Sequence, residues 1–244
     1  TMDKIAIIIP SRLDAQRLPN KPLKLINKKE MILHVYEAAI RSKAGEVYIA
    51  SPDQKIIDLI KSIKGNAIKT SKEHETGTDR IFEVFKKTLN SEPDIIINLQ
   101  GDMPNIKPQA ISNLVSYMKE KKCEIGTLAS ELVSENELKN PNIVKVAVKN
   151  KLSENMFLNA SDFFRIKENT SDKLYHHIGI YAFTNKALIR YVSLKRSKLE
   201  LKRKLEQLRA LENNMSIHVG YIESSPLSVD TKEDLIEIKR IMER

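Results

Sequence analysis

The sequence predicts an α/β fold with a mostly parallel central sheet. Short apolar segments alternate in the first half with helical patterns, in which apolar residues recur every three or four positions. An alternating order of strands and helices requires crossover connections, which are typical of parallel sheets covered on both faces. A length of 244 residues suits one domain of this class. We therefore expect a single domain over residues 1–244, with an embedded subregion around residues 125–210.

The first half of the chain is predicted to alternate four strands with four helices. Gly45 is expected to close the first helix, because glycine readily adopts the left-handed conformation in which many helices end. Gly65 lies near the end of the second helix. The predicted strands are Ile5–Ile9, Val47–Ala50, Ala67–Thr70 and Asp94–Leu99. The predicted helices cover residues 32–40, 56–63, 78–89 and 111–118.

The second half is less regular, and we expect residues 150–175 to form a long irregular excursion. Leucines at helical spacing predict one helix over residues 201–208. Thr231 and Asp234 form an imperfect capping box, which predicts the start of a C-terminal helix. The predicted strands of this half are Ile125–Leu132, Val144–Val148, His177–Phe183 and Ile217–Tyr221.

The composition excludes several classes of protein. An apolar fraction of 41% beside a charged fraction of 30% is typical of a soluble globular chain and excludes disorder. The single cysteine, Cys123, excludes internal disulfides and cysteine-rich zinc sites, and the five histidines show no ligand spacing. No span approaches 18 apolar residues, and the N-terminal apolar run is too short for a signal peptide. We expect a cytoplasmic protein with no membrane partner.

The net charge of +9 suggests an anionic partner, such as a nucleotide, a phosphorylated sugar or nucleic acid. A biased composition with a solvated basic surface explains the same charge equally well. The sequence has no recognisable nucleic-acid-binding motif and no interleaved aromatic platform. We therefore expect no nucleic-acid partner.

A basic loop without glycine follows the first predicted strand. Its sequence from residue 10 is PSRLDAQRLPNKPLK, and its basic side chains are Arg12, Arg17, Lys21 and Lys24. In open parallel sheets, ligands bind beyond the carboxyl ends of the strands. Prolines stiffen this loop, so we expect its side chains, more than a backbone cradle, to contact phosphate. Solvated surface charge is the alternative, and we favour phosphate binding.

A carboxylate follows the buried strand of residues 94–99, in the segment NLQGDMPNI. Gly101 allows a close approach of the backbone, and Asp102 suits a hard cation such as Mg²⁺, which one or two carboxylates and substrate phosphates usually hold. The alternative is that Asp102 caps the next helix or a turn. A basic loop facing such an acid is the arrangement that a nucleoside triphosphate with Mg²⁺ requires.

Two further segments carry polar residues at helix starts. In ETGTDR, Thr76 and Thr78 are candidate caps, and Arg80 lies in the first turn. A basic residue is disfavoured there by the helix dipole, so Arg80 is expected to have an anionic or acceptor partner. In PLSVDTKEDL, Asp230 is either a second metal carboxylate or an N-cap, and the residue types alone favour the cap.

Taken in order, these segments resemble the cytidylyltransferases that activate 3-deoxy-manno-octulosonate (Kdo), the CMP-Kdo synthetases. The similarity runs over most of the chain, through seven segments in the family's order. These segments are IPSRLDAQRLPNKPL, ETGTDR, NLQGDMP, NPNIVKV, HHIGIYAF, LEQLRAL and VDTKEDL. Any one of them alone would be a weak signal, but seven in order are highly specific.

The resemblance implies a three-layer α/β/α nucleotide-diphospho-sugar transferase fold, a Mg²⁺-dependent homodimer, and the reaction CTP + Kdo → CMP-Kdo + pyrophosphate for lipopolysaccharide synthesis. It implies metal binding by Asp102 and Asp230, which overturns the cap interpretation of Asp230, and catalysis by these two with Arg12 and Lys21. It implies nucleotide binding by Pro10, Ser11, Arg12, Lys21, Ala50, Ser51, Gly77, Arg80, Gln100 and Gly101. It implies contact with the acid sugar by Arg17, Gln100, His177, Tyr181, Glu206 and Gln207.

Several positions depart from the family pattern. Family members commonly carry a Phe-Ser-Arg stretch whose arginine reaches the sugar carboxylate. Here the aligned region reads MFLNASDFF, and the next arginine is Arg165. Met103 replaces an acid that is usual after QGD, ASPD replaces ATDD, and Arg203 stands where an acid is common. The departures concern mainly the sugar half.

Three other functions compete with CMP transfer to Kdo. The first is cytidylyl transfer to a related acid sugar, such as 8-amino-Kdo or a sialic acid, although LEQLRAL and VDTKEDL favour the Kdo group. The second is a non-catalytic nucleotide-sugar-binding homologue, against which the retention of both Asp102 and Asp230 argues. The third is nucleic-acid binding, which the charge alone suggests.

Overall fold

The computed structural model describes residues 3–244 of the chain. The chain divides into two compact units. The first comprises the residues up to Ser112 together with Pro226–Arg244, and the second is Asn113–Ser225. The second unit contains the predicted subregion around residues 125–210, and the assignment of the whole chain to one domain stays a prediction.

A parallel sheet forms the centre of the first unit. Its strands are β1 (Ile5–Pro10), β4 (Glu46–Ser51), β5 (Ala67–Lys69) and β6 (Ile95–Leu99), in the order β5-β4-β1-β6. In addition, β2 (Leu25–Ile26) pairs with β3 (Lys29–Glu30) in a separate hairpin. The helices are α1 (Met31–Ser42), α2 (Gln54–Ser62), α3 (Gly77–Glu83), which continues in a π-helical turn over Val84–Thr88, and α9 (Lys232–Met242). A further helix, α4 (Pro108–Glu120), carries the chain into the second unit. The predicted strands and helices of the first half are confirmed.

Strand β1 shows why this sheet is parallel and buried. Ile7, Ile8 and Ile9 are all 0% exposed, although successive side chains of a strand point to opposite faces. A strand that buries both faces reads as a continuous apolar run, and this is typical of parallel sheets covered on both sides. The strand is therefore held from both faces, and the loop after it begins from a rigid position.

The prediction that Gly45 closes the first helix is wrong. Helix α1 ends at Ser42, and Lys43 adopts the left-handed conformation there, with φ of 55°. Gly45 serves close packing instead. A Cβ atom on this residue would lie 2.5 Å from the carbonyl oxygen of Ile5 in β1. Glycine is therefore needed for the approach of the backbone to the sheet.

The second unit contains a mixed sheet. Its strands are β7 (Ile125–Ser130), β8 (Lys145–Val148), β9 (Phe157–Phe164), β10 (Lys173–Thr184) and β11 (Ile217–Tyr221). Their order is β10-β7-β11-β9-β8, and β8 also pairs with β10. Strands β7 and β11 are parallel, and the other pairs are antiparallel. The helices are α5 (Glu135–Lys139), α6 (Asn185–Ser193), α7 (Lys198–Arg203) and α8 (Leu208–Glu212).

Two predictions for the second half are wrong. Residues 150–175 are not irregular throughout, since they include β9 and the start of β10. The alternation in β9 is interrupted by a register shift against β8, where Ala147 pairs with Asp162 and Val148 pairs with Ala160. A bulge of this kind removes the period of two by which strands are recognised. The single helix predicted over residues 201–208 is two helices, because Lys204 is left-handed, with φ of 56°.

The C-terminal helix begins as the sequence predicts. Thr231 is the N-cap of α9 and accepts a hydrogen bond from the amide of Asp234, whose side chain accepts one from the amide of Thr231. The capping box is therefore complete. Within residues 3–244, no helix has the length and apolarity that a bilayer crossing requires.

Candidate active site

A cavity of about 300 Å³ opens at the carboxyl ends of β1 and β6 in the first unit. Its volume is at the lower end of the range for small-molecule sites. Nine of the residues assigned to the nucleotide or the metal line it, namely Pro10, Ser11, Arg12, Lys21, Gly77, Arg80, Gln100, Gly101 and Asp102. The other lining residues are Ala15, Pro22, His74, Glu75 and Thr76.

Backbone contacts fix the basic loop at the edge of this cavity. The amide of Ser11 donates to the carbonyl of Ala50 at 2.9 Å, and the amide of Leu13 donates to Oδ2 of Asp53 at 2.8 Å. The Arg12 side chain is 56% exposed, and its Nε lies 3.3 Å from Oδ1 of Asp14. An exposed ion pair of this kind is weak. The Arg12 guanidinium is therefore accessible to an anion in the cavity.

A short 3₁₀ helix positions Lys21. Asn20 is left-handed, with φ of 58°, and the helix Lys21–Leu23 follows with Pro22 in its first turn. Proline is favoured at this position because it has no amide hydrogen to satisfy there. The expectation that prolines stiffen the loop thus has a structural basis at Pro22.

Lys21 lies between the two carboxylates assigned to a metal. Its Nζ is 3.4 Å from Oδ2 of Asp102 and 3.5 Å from Oδ1 of Asp230. The amide of Val229 donates to the carbonyl of Asp102 at 2.9 Å, which holds the two acidic segments together. Burial raises the pKa of Asp102, the charge of Lys21 lowers it, and the nearby Asp230 raises it. Asp230 is not the N-cap of α9, since Thr231 has that role.

This arrangement fits a divalent cation. Two carboxylates converge on one point that already holds a positive charge, and hard cations prefer oxygen ligands. In the described residues no group of three or more acidic, histidine or cysteine side chains has metal-binding geometry. A magnesium ion here would need ligands from substrate phosphates, which is the usual way in which Mg²⁺ is held in nucleotide sites.

Arg80 is buried, at 3% exposure, with the acceptor partners that the sequence predicts. Its Nη1 donates to Oγ1 of Thr70 at 2.7 Å and to the carbonyl of Ser71 at 2.6 Å. Burial lowers the pKa of Arg80, and the positive charge of Arg12 lowers it further. Thr76 is the N-cap of α3, as predicted, and accepts from the amide of Asp79 at 3.1 Å.

The other residues assigned to the nucleotide do not all line the cavity. Gly77, Gln100 and Gly101 line the cavity, whereas Ala50 and Ser51 are fully buried and lie outside its lining. The predicted contact of Ala50 and Ser51 with a nucleotide stays a prediction. Thr78 is also buried and is not a cap.

His74 lines the cavity and was not assigned from the sequence. Its Nε2 lies 2.7 Å from Oε1 of Glu83, and the same oxygen accepts from the amide of Ser71 at 3.0 Å. The imidazole is therefore oriented by a carboxylate. Its position two residues before Thr76, directly before the motif ETGTDR, is the sequence signal for it.

In the second unit, a bulge brings together two residues assigned to the sugar. The register of β10 against β7 shifts between Ile178 and Tyr181. In a regular strand, residues four apart are separated by about 13 Å. The rings of His177 and Tyr181 have centroids only 5.4 Å apart, and Phe163 packs edge-on against His177 at 5.1 Å. We call Phe163, His177 and Tyr181 the His-Tyr cluster.

The polar side chains of this cluster are buried, and their surroundings determine their protonation states. Oγ1 of Thr127 donates to the carbonyl of Ile180 at 2.6 Å and lies 2.9 Å from Nε2 of His177, so Nε2 carries the proton. Burial lowers the pKa of His177 to about 3, and the charge of His176 lowers it as well. Burial raises the pKa of Tyr181, and the negative charge of Glu206 contributes. Both groups are neutral at pH 7.

Glu206 and Gln207 lie in the turn between α7 and α8. The hydroxyl of Tyr191 donates to the carbonyl of Glu206 at 3.0 Å, and Gln207 is buried. Arg17 belongs to the first unit, where it is exposed and outside the cavity lining. The predicted contact of Arg17 with the sugar stays a prediction, as do those of His177, Tyr181 and the two turn residues.

Comparison with known proteins gives one consistent result. A family model described as cytidylyltransferase matches residues 6–217. A 3-deoxy-manno-octulosonate cytidylyltransferase of Brucella ovis is 42% identical over 234 residues, which cover 95% of this chain and 93% of that protein. One of Bartonella bacilliformis is 39% identical over 241 residues, which cover 98% of both.

A solved structure agrees with these relatives. It is that of CMP:2-keto-3-deoxy-manno-octonic acid synthetase complexed with CTP, at a TM-score of 0.87 and 35% identity, with 98% of both chains covered. The predicted fold class is therefore confirmed. The chain belongs to the 3-deoxy-manno-octulosonate cytidylyltransferases of the cytidylyltransferase family.

Proposed function

We propose that the protein transfers CMP from CTP to the anomeric hydroxyl of Kdo and releases pyrophosphate. The observation that carries the proposal is the position of Lys21 between Asp102 and Asp230, at the edge of a cavity lined by the basic loop. The relatives at 39–42% identity are named for Kdo cytidylyl transfer, which supports both substrates.

The reaction requires alignment more than covalent chemistry from the protein. The anomeric oxygen forms a bond to the α-phosphorus of CTP, and the bond from that phosphorus to the bridging oxygen of pyrophosphate breaks in line. The proton of the hydroxyl leaves to solvent or phosphate. Arg12 and Lys21 bind and orient the triphosphate, and their charges stabilise the negative charge that develops on it. Neither Cys123 nor a histidine nucleophile has a part in this mechanism.

Asp102 and Asp230 are proposed to hold Mg²⁺ together with the phosphates. The ion would neutralise phosphate charge and favour departure of pyrophosphate. The protein atoms around the cytosine are proposed to come from Gly77, Arg80 and Gln100. A buried guanidinium that is fixed by two acceptors, as in Arg80, forms a rigid wall for such a pocket.

In the second unit, contact with the acid sugar is proposed for the His-Tyr cluster, Glu206 and Gln207. In the first unit, the same role is proposed for Arg17 and Gln100. A neutral imidazole and a neutral phenol bind hydroxyl groups through hydrogen bonds without charge. We also propose that the protein is a cytoplasmic homodimer whose product is used in lipopolysaccharide synthesis. Sedimentation of the purified protein measures the oligomeric state.

A related acid sugar is the second candidate substrate, because the segment MFLNASDFF lacks the arginine of the family pattern.

The proposed function is tested by pyrophosphate release with Mg²⁺, in which CTP, UTP and ATP are each combined with Kdo, 8-amino-Kdo and a sialic acid. We expect the highest kcat/KM with CTP and Kdo. A higher kcat/KM with another acid sugar would retain the cytidylyltransferase and replace its substrate. Binding of CTP without release with any sugar would favour a non-catalytic homologue.

A further inference from the structure

We propose that Arg165 binds the carboxylate of the acid sugar. This inference rests on the proposed function, because it concerns a substrate with a carboxylate. Two arginines of the second unit lie near the strand that lacks the family arginine, namely Arg165 and Arg203. The contacts that each of them makes decide between them.

Arg203 is already neutralised by the protein. Its Nη1 donates to Oδ1 of Asp162 at 2.8 Å and to the carbonyl of Phe163 at 2.8 Å. Its Nη2 lies 3.8 Å from Oε1 of Glu168, and the side chain is only 18% exposed. A second carboxylate at this guanidinium would be repelled by the two acids already there. Arg203 therefore holds β9 against α7 and is not available to a substrate.

The contacts of Arg165 differ in kind from those of Arg203. Within residues 3–244, its guanidinium donates only to backbone carbonyls, through Nη1 to Pro141 at 3.4 Å and through Nη2 to Lys204 at 3.3 Å. Both contacts are longer than ordinary hydrogen bonds of this type. Neither acceptor carries a charge. The side chain thus presents an uncompensated positive charge, and a guanidinium can bind a carboxylate through two parallel hydrogen bonds.

Arg165 lies close to residues that are predicted to contact the sugar. Lys204, whose carbonyl it contacts, lies in the same turn as Glu206. On the other side, Phe163 lies two residues earlier and packs against His177. The charge of Arg165 also acts on the phenol of Tyr181, whose pKa it lowers against the larger opposing effect of burial. Arg165 therefore lies beside both the His-Tyr cluster and the turn.

Lys145 holds the backbone of Arg165 in place. It is fully buried, and its Nζ donates to the carbonyl of Arg165 at 2.6 Å and to that of Asn140 at 2.7 Å. Burial lowers the pKa of Lys145, and the charge of Arg165 lowers it further. One ammonium thus joins residue 165 to the loop whose Pro141 carbonyl contacts the guanidinium. This constraint reduces the entropy that Arg165 loses on binding a substrate.

The test combines variants of Arg165 with a substrate that lacks the charge. Steady-state pyrophosphate release is measured with Kdo and with its carboxamide for the wild type, Arg165→Ala, Arg165→Lys and Lys167→Ala. Lys167 is an exposed cation two residues away and serves as the matched control. For Arg165→Ala we expect the KM for Kdo to rise about 10- to 100-fold, the size expected for a lost charge-assisted pair, with the KM for CTP within about twofold.

The carboxamide separates binding from a structural role. The wild type should discriminate strongly against it, and Arg165→Ala should lose most of that discrimination, because the partner of the carboxylate is gone. Arg165→Lys, which keeps the charge and most contacts of the side chain, should lie between the two and also serves if the alanine variant does not fold. Lys167→Ala should match the wild type.

The outcomes distinguish this inference from the function beneath it. If the wild type turns over Kdo and Arg165→Ala keeps both its KM and its discrimination, Arg165 does not bind the carboxylate and the function stands. If both variants lose activity toward Kdo and the carboxamide equally, Arg165 has only a structural role and the inference is overturned. If the wild type turns over no acid sugar, the proposed function fails and this inference fails with it.

Discussion

The cavity of the first unit and the His-Tyr cluster of the second are built from opposite kinds of group. The cavity presents charged side chains that are partly exposed and loosely paired, with Lys21 at 3.4–3.5 Å from two carboxylates and an exposed Arg12. The cluster presents neutral groups that are buried and hydrogen-bonded, such as His177 on Thr127. We expect the charges at the cavity to act on a reacting phosphate, and the buried neutral groups to shape a binding surface and to stabilise the sheet.

This difference predicts how the two regions respond to mutation. Changes in the cavity should reduce turnover and leave the fold intact, because partly exposed ion pairs contribute little to stability. Changes in the second unit should affect stability or sugar binding, because a buried group that loses its partner is costly.

The largest effect is expected for Asp102→Asn. The variant loses one of two carboxylates proposed for the metal, so kcat should fall on the order of 10³-fold. Pyrophosphate release measures the rate, and thermal unfolding should show nearly the same midpoint as the wild type. Asp58→Asn, in an exposed carboxylate of α2, is the control and should retain full activity. Near-normal turnover for both Asp102→Asn and Asp230→Asn would rule out the metal assignment.

A large effect on stability is expected for Glu200→Gln. Glu200 is 0% exposed and accepts two hydrogen bonds from Arg209, at 3.0 and 2.7 Å. Removal of its charge leaves a buried guanidinium without its counter-ion, which should lower the free energy of unfolding by about 3 kcal/mol. Urea denaturation followed by circular dichroism measures this loss.

The control for Glu200→Gln is Glu237→Gln. Glu237 pairs with Arg240 on the surface of α9, and loss of this exposed pair should leave the free energy of unfolding nearly unchanged. Equal effects of the two variants would contradict the view that the second unit depends on buried partners.

An intermediate effect is expected for Lys21→Met. The ammonium that separates the two carboxylates is proposed to bind triphosphate, so kcat/KM for CTP should fall about 10- to 100-fold. Lys24→Met removes a charge from the same loop without touching the cavity lining, and it should stay within about twofold of the wild type. If the two variants lose activity equally, the loop acts through general charge and not through a positioned Lys21.

The smallest effect is a dependence of stability on pH that arises from His177. Its pKa is about 3 in the folded protein, below the ordinary 6.5, so between these values the unfolded chain binds more protons. The contribution of His177 is therefore complete above pH 6.5 and is lost as the pH falls toward 3. The part of this contribution that is lost between pH 6.5 and pH 5.5 is about 1 kcal/mol of the free energy of unfolding. In His177→Asn, the free energy of unfolding, measured by urea denaturation, should fall less steeply over this pH range than in the wild type. The same slope in both proteins would contradict the buried neutral state of His177.

The sequence predicts the first unit better than the second for physical reasons. A parallel sheet buries continuous apolar runs, so β1 and β6 are recognisable without their neighbours. Strand β9 is not recognisable from the sequence because its bulge near Ser161 breaks the alternation. The helix break at Lys204 is equally hard to predict, because lysine rarely adopts a left-handed conformation. Such features depend on neighbouring strands and turns that a local pattern does not contain.

The candidate site shows the same division. Motifs identified nine residues of the cavity lining, because strand-end loops place their side chains at one edge of the sheet. His74 and the contacts of Arg165 were not predicted. His74 is oriented by Glu83, nine residues along the chain, and Arg165 by carbonyls of two other segments. The partners of Arg165, which are 24 and 39 residues away along the chain, become visible only in the folded chain.

The measurement that tests the account most directly is ³¹P NMR of the wild type mixed with CTP and Kdo, with Mg²⁺ and with excess chelator. We predict that the CTP resonances give way to those of pyrophosphate and a CMP phosphodiester in equal amounts when Mg²⁺ is present, and that they persist in chelator. Asp102→Asn should resemble the chelated sample while it remains folded. Conversion at the same rate in chelator, or CTP that stays intact with Mg²⁺ and Kdo, would contradict the assignment of phosphoryl chemistry to the charged cavity.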